Sequence, residues 1–127
     1  LLRAGYRHDQ QAMSLAMKGY DFFDSMSNKV RSDIASLFLL ATEPFSDPEK
    51  NTNIPSECLD EQDRYIWANS KLHSRLSTTA TRAMQSFEFN LPPKEFMFIS
   101  RKFIGAYTFL TVLDAHTNSN SLVKPYL

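Results

Sequence analysis

The sequence predicts an all-α fold, a bundle of about five to six helices. Three observations lead there. Glycine occurs three times and proline six times in 127 residues, so helix breakers are few. β-Branched runs are scarce, and apolar residues return at helical spacing along most of the chain. The stripe Val30, Ile34, Leu37, Phe38 and Ala41 leaves Lys29, Arg31, Asp33 and Ser36 off its face, which is the pattern of an amphipathic helix.

The elements follow in order. Residues 1–7 read as the end of a helix. Asp9 suits an N-cap, because its carboxylate can accept from the free N–H groups of Gln11 or Ala12. Residues 10–18 then carry Met13, Ala16 and Met17 on one face, and Gly19 supplies a left-handed stop. Tyr20-Asp21-Phe22-Phe23 is expected to be an aromatic connector. Ser27 is a second N-cap candidate, and Pro44 ends the amphipathic helix near Thr42 or Glu43.

Residues 44–58 read as an acidic surface loop, rich in turn residues and without periodicity. From position 43 to 63 the chain carries Glu43, Asp47, Glu49, Glu57, Asp60, Glu61 and Asp63 against Lys50 alone, and solvation of these acids is the expectation. Asn69-Ser70 opens another helix, with Leu72, Leu76, Ala80, Ala83, Met84 and Phe87 on its apolar stripe. Pro92-Pro93 breaks the chain, and Pro93 fits the first turn of a last long helix over residues 94–113.

That last helix is too charged to span a bilayer. Lys94, Glu95, Arg101 and Lys102 interrupt it, and two cations at mid-membrane cost several kcal/mol on insertion scales. A core helix is expected instead, with Phe96, Ile99, Phe103, Ala106, Phe109, Leu110 and Leu113 turned inward. Gly105 should allow close approach of a neighbouring backbone. Arg101 and Lys102 should snorkel at the surface, one of them paired with Glu88 or Glu95; the alternative is a buried Arg101 that ties the helix to another element of a larger protein.

Composition narrows the function classes. Hydrophobic residues are 43% and charged residues 22%, ordinary values for a soluble globular chain of one domain, residues 1–127. Formal net charge is zero, which argues against a nucleic-acid partner held by bulk positive charge. Cys58 is the one cysteine, so neither an internal disulfide nor a thiolate metal cluster can form within the chain. No signal peptide is evident, and Leu1-Leu2-Arg3 reads as a start inside a helix, as in a piece of a longer protein.

Chemistry-bearing patterns are weak. Asp21-Phe22-Phe23 resembles the kinase Asp-Phe-Gly element but lacks its glycine and a preceding catalytic loop. His8, His73 and His116 are far apart and match no metal spacing. Cys58 has no basic activator nearby in sequence. Phosphate-binding glycine loops and dinucleotide fingerprints are absent, and the hydroxyl-rich run Ser77-Thr78-Thr79-Ala80-Thr81 reads as helix surface. No catalytic, cofactor-binding or metal residue emerges.

Leu91-Pro92-Pro93-Lys94-Glu95, then Ser100-Arg101-Lys102-Phe103-Ile104-Gly105, then Leu113-Asp114-Ala115, resembles the C-terminal end of the UbiB/AarF family of atypical kinase-like proteins. Ser100 stands where that family usually has His, and Ile104-Gly105 where Gly-Gly is common. Leu2-Arg3-Ala4 with Asp9 resembles the family segment downstream of its Asp-Phe-Gly loop. Residues 40–45 and the stretch Tyr65-Ile66-Trp67-Ala68-Asn69-Ser70-Lys71-Leu72 resemble later segments in the expected order. The family-motif positions are thus Pro92, Pro93, Glu95, Arg101, Lys102 and Gly105.

The resemblance implies the helical C-terminal part of a kinase-like C-lobe. Family members are linked to ubiquinone and isoprenoid-lipid metabolism. Their ATP- and magnesium-binding parts lie N-terminal to this region, so no catalytic residue carries over and no cofactor is expected in this chain. Expected partners are the remainder of the kinase-like domain and, through the parent protein, a membrane surface or lipid-metabolic proteins. Localisation would be intracellular. Under this reading Met13, Met17, Phe22 and Phe23 are candidates for an exposed apolar face. The rival readings are a freestanding helical interaction module with a closed core and, behind it, a small independent enzyme.

Overall fold

A computed structural model describes residues 1–85 and 94–127; the side chains of Met84, Glu95 and Phe96 lie outside the description. The chain is mainly helical, as the periodicity predicts. Eight α-helices occur among the described residues: α1 (Leu2–Tyr6), α2 (Gln10–Ala16), α3 (Asp21–Asp24), α4 (Asn28–Ala41), α5 (Trp67–Ser70), α6 (Leu72–Gln85), α7 (Lys94–Val112) and α8 (Ser119–Val123). Strands β1 (Tyr65–Ile66) and β2 (His116–Thr117) pair antiparallel, with Tyr65 opposite Thr117 and Ile66 opposite His116. Several helices are a single turn, so the count exceeds the expected five to six.

The capping chemistry explains the first half. Asp9 Oδ1 accepts from Ala12 N at 2.9 Å and starts α2. Gly19 adopts φ +86 and turns the chain after α2. Ser27 Oγ accepts from Val30 N at 3.3 Å and starts α4, which stops at Thr42, two residues before Pro44. The Tyr20 connector continues into the one-turn α3, whose Phe23 packs edge-on against Phe22 and Phe38.

Two hydrophobic clusters form the interior. The first joins Ala4, Met13, Met17, Phe23, Val30, Ile34, Ala35 and Leu39. The expectation that Met13, Met17, Phe22 and Phe23 are exposed is therefore corrected. Met13, Met17 and Phe23 are buried and Phe22 is half-buried, because α2 and α3 fold back over α4 and close that face. The second cluster joins Ile54, Cys58, Tyr65, Trp67, Leu72 and Tyr107, with Leu40 and Phe45 packed against it. Helix α4 contributes to both, and its packing on α6 binds the two halves.

Residues 44–58 are not a wholly solvated loop. Pro44, Ser46, Asn51, Ile54 and Cys58 are buried. Ser46 Oγ donates to the Glu43 carbonyl at 2.6 Å, and Asn51 Nδ2 donates to Ser46 Oγ at 2.9 Å. Asp47 N donates to the Tyr6 carbonyl at 2.9 Å, which pins the segment onto α1.

Helix α7 departs most from expectation. Among the described residues its principal contacts are with α5 and α6, and the face that carries Tyr107 meets the bundle. Tyr107 is buried, and Ser100, Leu110 and Thr111 are half-buried. Ile99, Phe103, Ala106, Phe109 and Leu113 are exposed, which corrects their inward placement. Gly105 faces open space, with no neighbour within 4 Å of a Cβ built on it, so the expected close backbone approach is not made. Among the described residues, no helix is long and apolar enough to cross a membrane.

Candidate functional site

The polar centre of the molecule is assembled from three distant stretches. Glu43 ends the α4 connection and is 2% exposed. Its Oε1 accepts from the Tyr65 hydroxyl at 2.7 Å and from Arg75 Nη1 at 2.8 Å, and its Oε2 accepts from Arg75 Nη2 at 2.6 Å. Arg75 Nη1 also reaches the Ser70 carbonyl at 3.3 Å. Carboxylate and guanidinium therefore meet fork to fork, the strong geometry for this pair. Lys71 takes a left-handed conformation, φ 47, between α5 and α6, and this turn brings Arg75 back over Ser70.

The electrostatics follow from that contact. The hydrogen bond to Glu43 raises the Arg75 pKa against the opposing effect of burial. Burial, and then the Glu43 charge, push the Tyr65 phenol well above its ordinary range. Burial and the same carboxylate raise the Cys58 thiol, which is inert as a nucleophile in that state. Burial lowers the His8 pKa while Glu43 opposes the shift, and His8 Nδ1 is buried without a hydrogen-bond partner.

This centre joins the two halves of the fold. Both carboxylate oxygens of Glu43 are engaged, so it is not poised to take a proton from a substrate. The cleft beside it, lined by Glu43, Pro44, Tyr65, Thr117 and Ser119 among others, has about 10 Å³ of free space, on the scale of a single water. Next to it Trp67 is fully buried, packs edge-on against Tyr65 and at a tilt against Tyr107, and donates from Nε1 to Thr117 Oγ1 at 2.7 Å. The Tyr107 hydroxyl donates to the Ala41 carbonyl and so ties α7 to the end of α4.

A second polar group lies at the surface. Asp60 Oδ2 takes Arg64 Nε at 2.8 Å and His116 Nδ1 at 3.0 Å, linking the acidic segment to β2. Burial would raise the Asp60 pKa, but hydrogen bonds from Arg64, His116 and the Gln62 backbone outweigh it and hold the carboxyl below its usual range. On α6, Ser77, Thr78, Thr81, Arg82 and Gln85 line an open groove of about 380 Å³. The Thr78 and Thr81 hydroxyls are spent on the Ser74 and Ser77 carbonyls, so the hydroxyl-rich run is helix surface as read. Among the described residues, no group of three or more His, Cys, Asp or Glu side chains is placed to hold a metal ion.

The motif positions read from sequence do not join the polar centre. Pro92 and Pro93 lie outside the described residues, as does the Glu95 side chain, so a pairing with Glu88 or Glu95 falls there too. Arg101, Lys102 and Gly105 are brought together, all exposed on α7. Lys102 Nζ sits 4.8 Å from the Phe98 ring centre. Arg101 and Lys102 both stand at the helix surface of this chain. Glu43, Tyr65 and Arg75 were missed from sequence: their separations of 22 and 32 residues follow no motif, and Glu43 reads as one more acid of a solvated stretch. Compared with known proteins, the chain matches no family model, no curated protein and no solved structure.

Proposed function

We propose that this chain is the non-catalytic, helical C-terminal segment of a UbiB/AarF-type atypical kinase or ATPase, in which it supports an upstream ATP site. The resemblance of its motifs, in order along most of the chain, motivates the reading, and an all-α framework suits it. The observation that carries it is uncovered apolar surface. Leu1, Leu2, Leu15 and Tyr20 are exposed on and beside α1 and α2, and a long row of large apolar side chains is exposed along α7. A self-contained domain of this size would cover more of that surface. A rigid helical base acts on phosphoryl transfer by holding the loops that position nucleotide and metal. The parent's link to ubiquinone or isoprenoid-lipid metabolism, its intracellular location and its association with a membrane surface follow from the resemblance alone.

The test is the parent reading frame. A Lys-x-Gly-Gln element and an Asp-Phe-Gly downstream of a catalytic Asp, with magnesium-dependent ATP hydrolysis by the whole protein, are the expected result. A start codon directly before Leu1 overturns the reading. One observation favours the alternative, a freestanding interaction module without enzymatic activity: the Glu43–Tyr65–Arg75 centre is satisfied within the chain.

A further inference from the structure

Residues 116–127 leave the end of α7 and pass over the polar centre. Ala115 still belongs to the body: its N–H donates to the Leu110 carbonyl at 3.0 Å, and its carbonyl accepts from Trp67 N at 3.1 Å. Asp114 before it takes a left-handed conformation, φ 49, and turns the chain out of α7. Beyond Ala115, β2 pairs with β1, and α8 lies against the short 3-10 turn at Glu43–Phe45. Thr117, Ser119 and Asn120 thereby form one wall of the small cleft whose other wall includes Glu43, Pro44 and Tyr65.

What holds this segment is polar. Trp67 Nε1 donates to Thr117 Oγ1 at 2.7 Å, the Thr117 and Ser119 hydroxyls are 2.8 Å apart, and His116 Nδ1 lies 3.0 Å from Asp60 Oδ2. Among the described residues, neither hydrophobic cluster takes a side chain from 116–127. Leu122 and Tyr126 are 70% and 80% exposed, and Ser119 is the one buried residue of the segment. Polar contacts are exchanged for water at small net cost, whereas apolar burial is not, so a segment held this way belongs to the low-stability end of a fold. The facing wall is different: Tyr65 and Trp67 sit in the second cluster, and Glu43 is locked to Arg75.

We infer that residues 116–127 are a strap that opens as one unit, pivoting just past Ala115, and uncovers the Glu43–Tyr65 cleft and the Trp67 indole edge while the rest of the fold stands. The closed cleft is on the scale of a single water, so the strap sets access to the polar centre. Opening breaks the short β pairing, the Trp67–Thr117 hydrogen bond and the His116–Asp60 contact together, because His116 and Thr117 are themselves the paired residues of β2. Both groups left behind meet water in the open form, and Asp60 keeps Arg64 and its backbone donors. Glu43 keeps Tyr65 and Arg75, so opening strands no charge there. The inference stands on this segment alone and does not depend on the kinase-like reading.

Thiol labelling with N-ethylmaleimide measures the opening. Cys58 is buried in the second cluster and reports opening of the fold itself. Ser119→Cys adds a second, near-isosteric thiol under the strap. Mass spectrometry of the peptides follows both sites in urea below the unfolding transition. The position-119 thiol should react at least about tenfold faster than Cys58 and with little dependence on urea, because strap opening exposes little surface. Adding Thr117→Val, which takes away the partner of Trp67, should speed position 119 about tenfold and leave Cys58 unchanged. Equal rates with equal urea dependence at the two thiols overturn the inference, because the strap then opens only with the whole fold. So does fast labelling of Val123→Cys beside a position-119 thiol as slow as Cys58, since the segment then does not move as one unit. Circular dichroism controls for folding. If Ser119→Cys does not fold, hydrogen exchange on the unaltered chain decides: the amides of residues 117–123 should exchange at least about tenfold faster than that of Trp67, and equal protection overturns the inference.

Discussion

Two basic sites of the molecule are opposites. Arg75 is drawn inside, fork to fork with the 2%-exposed Glu43, whereas Arg101 and Lys102 stand outside among exposed aromatics. Around Glu43 polarity is enclosed and satisfied; on α7 apolar surface is displayed, with two cations set among it. The contrast teaches that position in the fold, and not residue type, assigns a charge its task. The inner pair specifies how two halves of one chain meet. The outer pair makes no such joint among the described residues and stands in solvent.

The sharpest way to break this comparison is to remove Arg75. Arg75→Ala leaves Glu43 buried without its cation and should cost about 3–5 kcal/mol of stability in urea unfolding. Replacing both members by apolar residues, Glu43→Leu with Arg75→Met, should recover most of that loss, because no charge is then stranded. If the single and double variants lose stability equally, Glu43 and Arg75 are not the joint described. Arg101→Ala should shift the same measurement by no more than about 0.5 kcal/mol.

The glycines give a smaller and opposite-signed pair. A Cβ on Gly5 would stand 2.6 Å from Thr42 Oγ1 and 2.9 Å from Thr42 Cβ, so α1 and the end of α4 must separate to admit it. Gly5→Ala should therefore destabilise by about 1–3 kcal/mol. Gly105→Ala meets nothing and should stabilise by about 0.5–1 kcal/mol through helix propensity. Thermal or urea unfolding of both variants checks the signs. A destabilised Gly105→Ala would mean that α7 is already covered.

The smallest expected effect is a pH dependence at His8. Burial lowers its pKa, so the folded state disfavours the charged ring. Its contribution is complete above the unfolded value of about 6.5. It is lost as pH falls below that value, where the unfolded chain takes up the proton first. His8→Asn, which tolerates the φ of 51 at this position, should flatten the stability profile on the acid side of neutrality. An unchanged profile removes His8 from the account.

How much was legible depends on the range of the cause. Asp9 and Ser27 as caps, Gly19 as a stop and Pro44 as a terminator act within four residues of themselves, and all stand where the sequence puts them. Their hydrogen bonds close inside one helical turn, so local chain order is enough. The burial of Met13 and Met17 was not legible, because the same apolar stripe suits either a closed core or an open interface. Of the candidate positions, Arg101, Lys102 and Gly105 could be named in advance, but the face they share with Phe98 and Phe109 could be recognised as uncovered only once Tyr107 was seen to take the opposite side.

By itself, then, the sequence determined an all-α chain, its main helix starts and stops, and the absence of a membrane-spanning run in residues 94–113, since periodicity, caps and charge spacing are local properties. Tertiary structure alone decided that Glu43 goes inside, that residues 44–58 are pinned down and that α7 lies on a flank with most of its apolar surface outward. Those outcomes depend on partners 22, 32 and 66 residues away in Tyr65, Arg75 and the Ala41–Tyr107 contact. A helix that is apolar on nearly every side carries no internal mark of which side its own chain will cover.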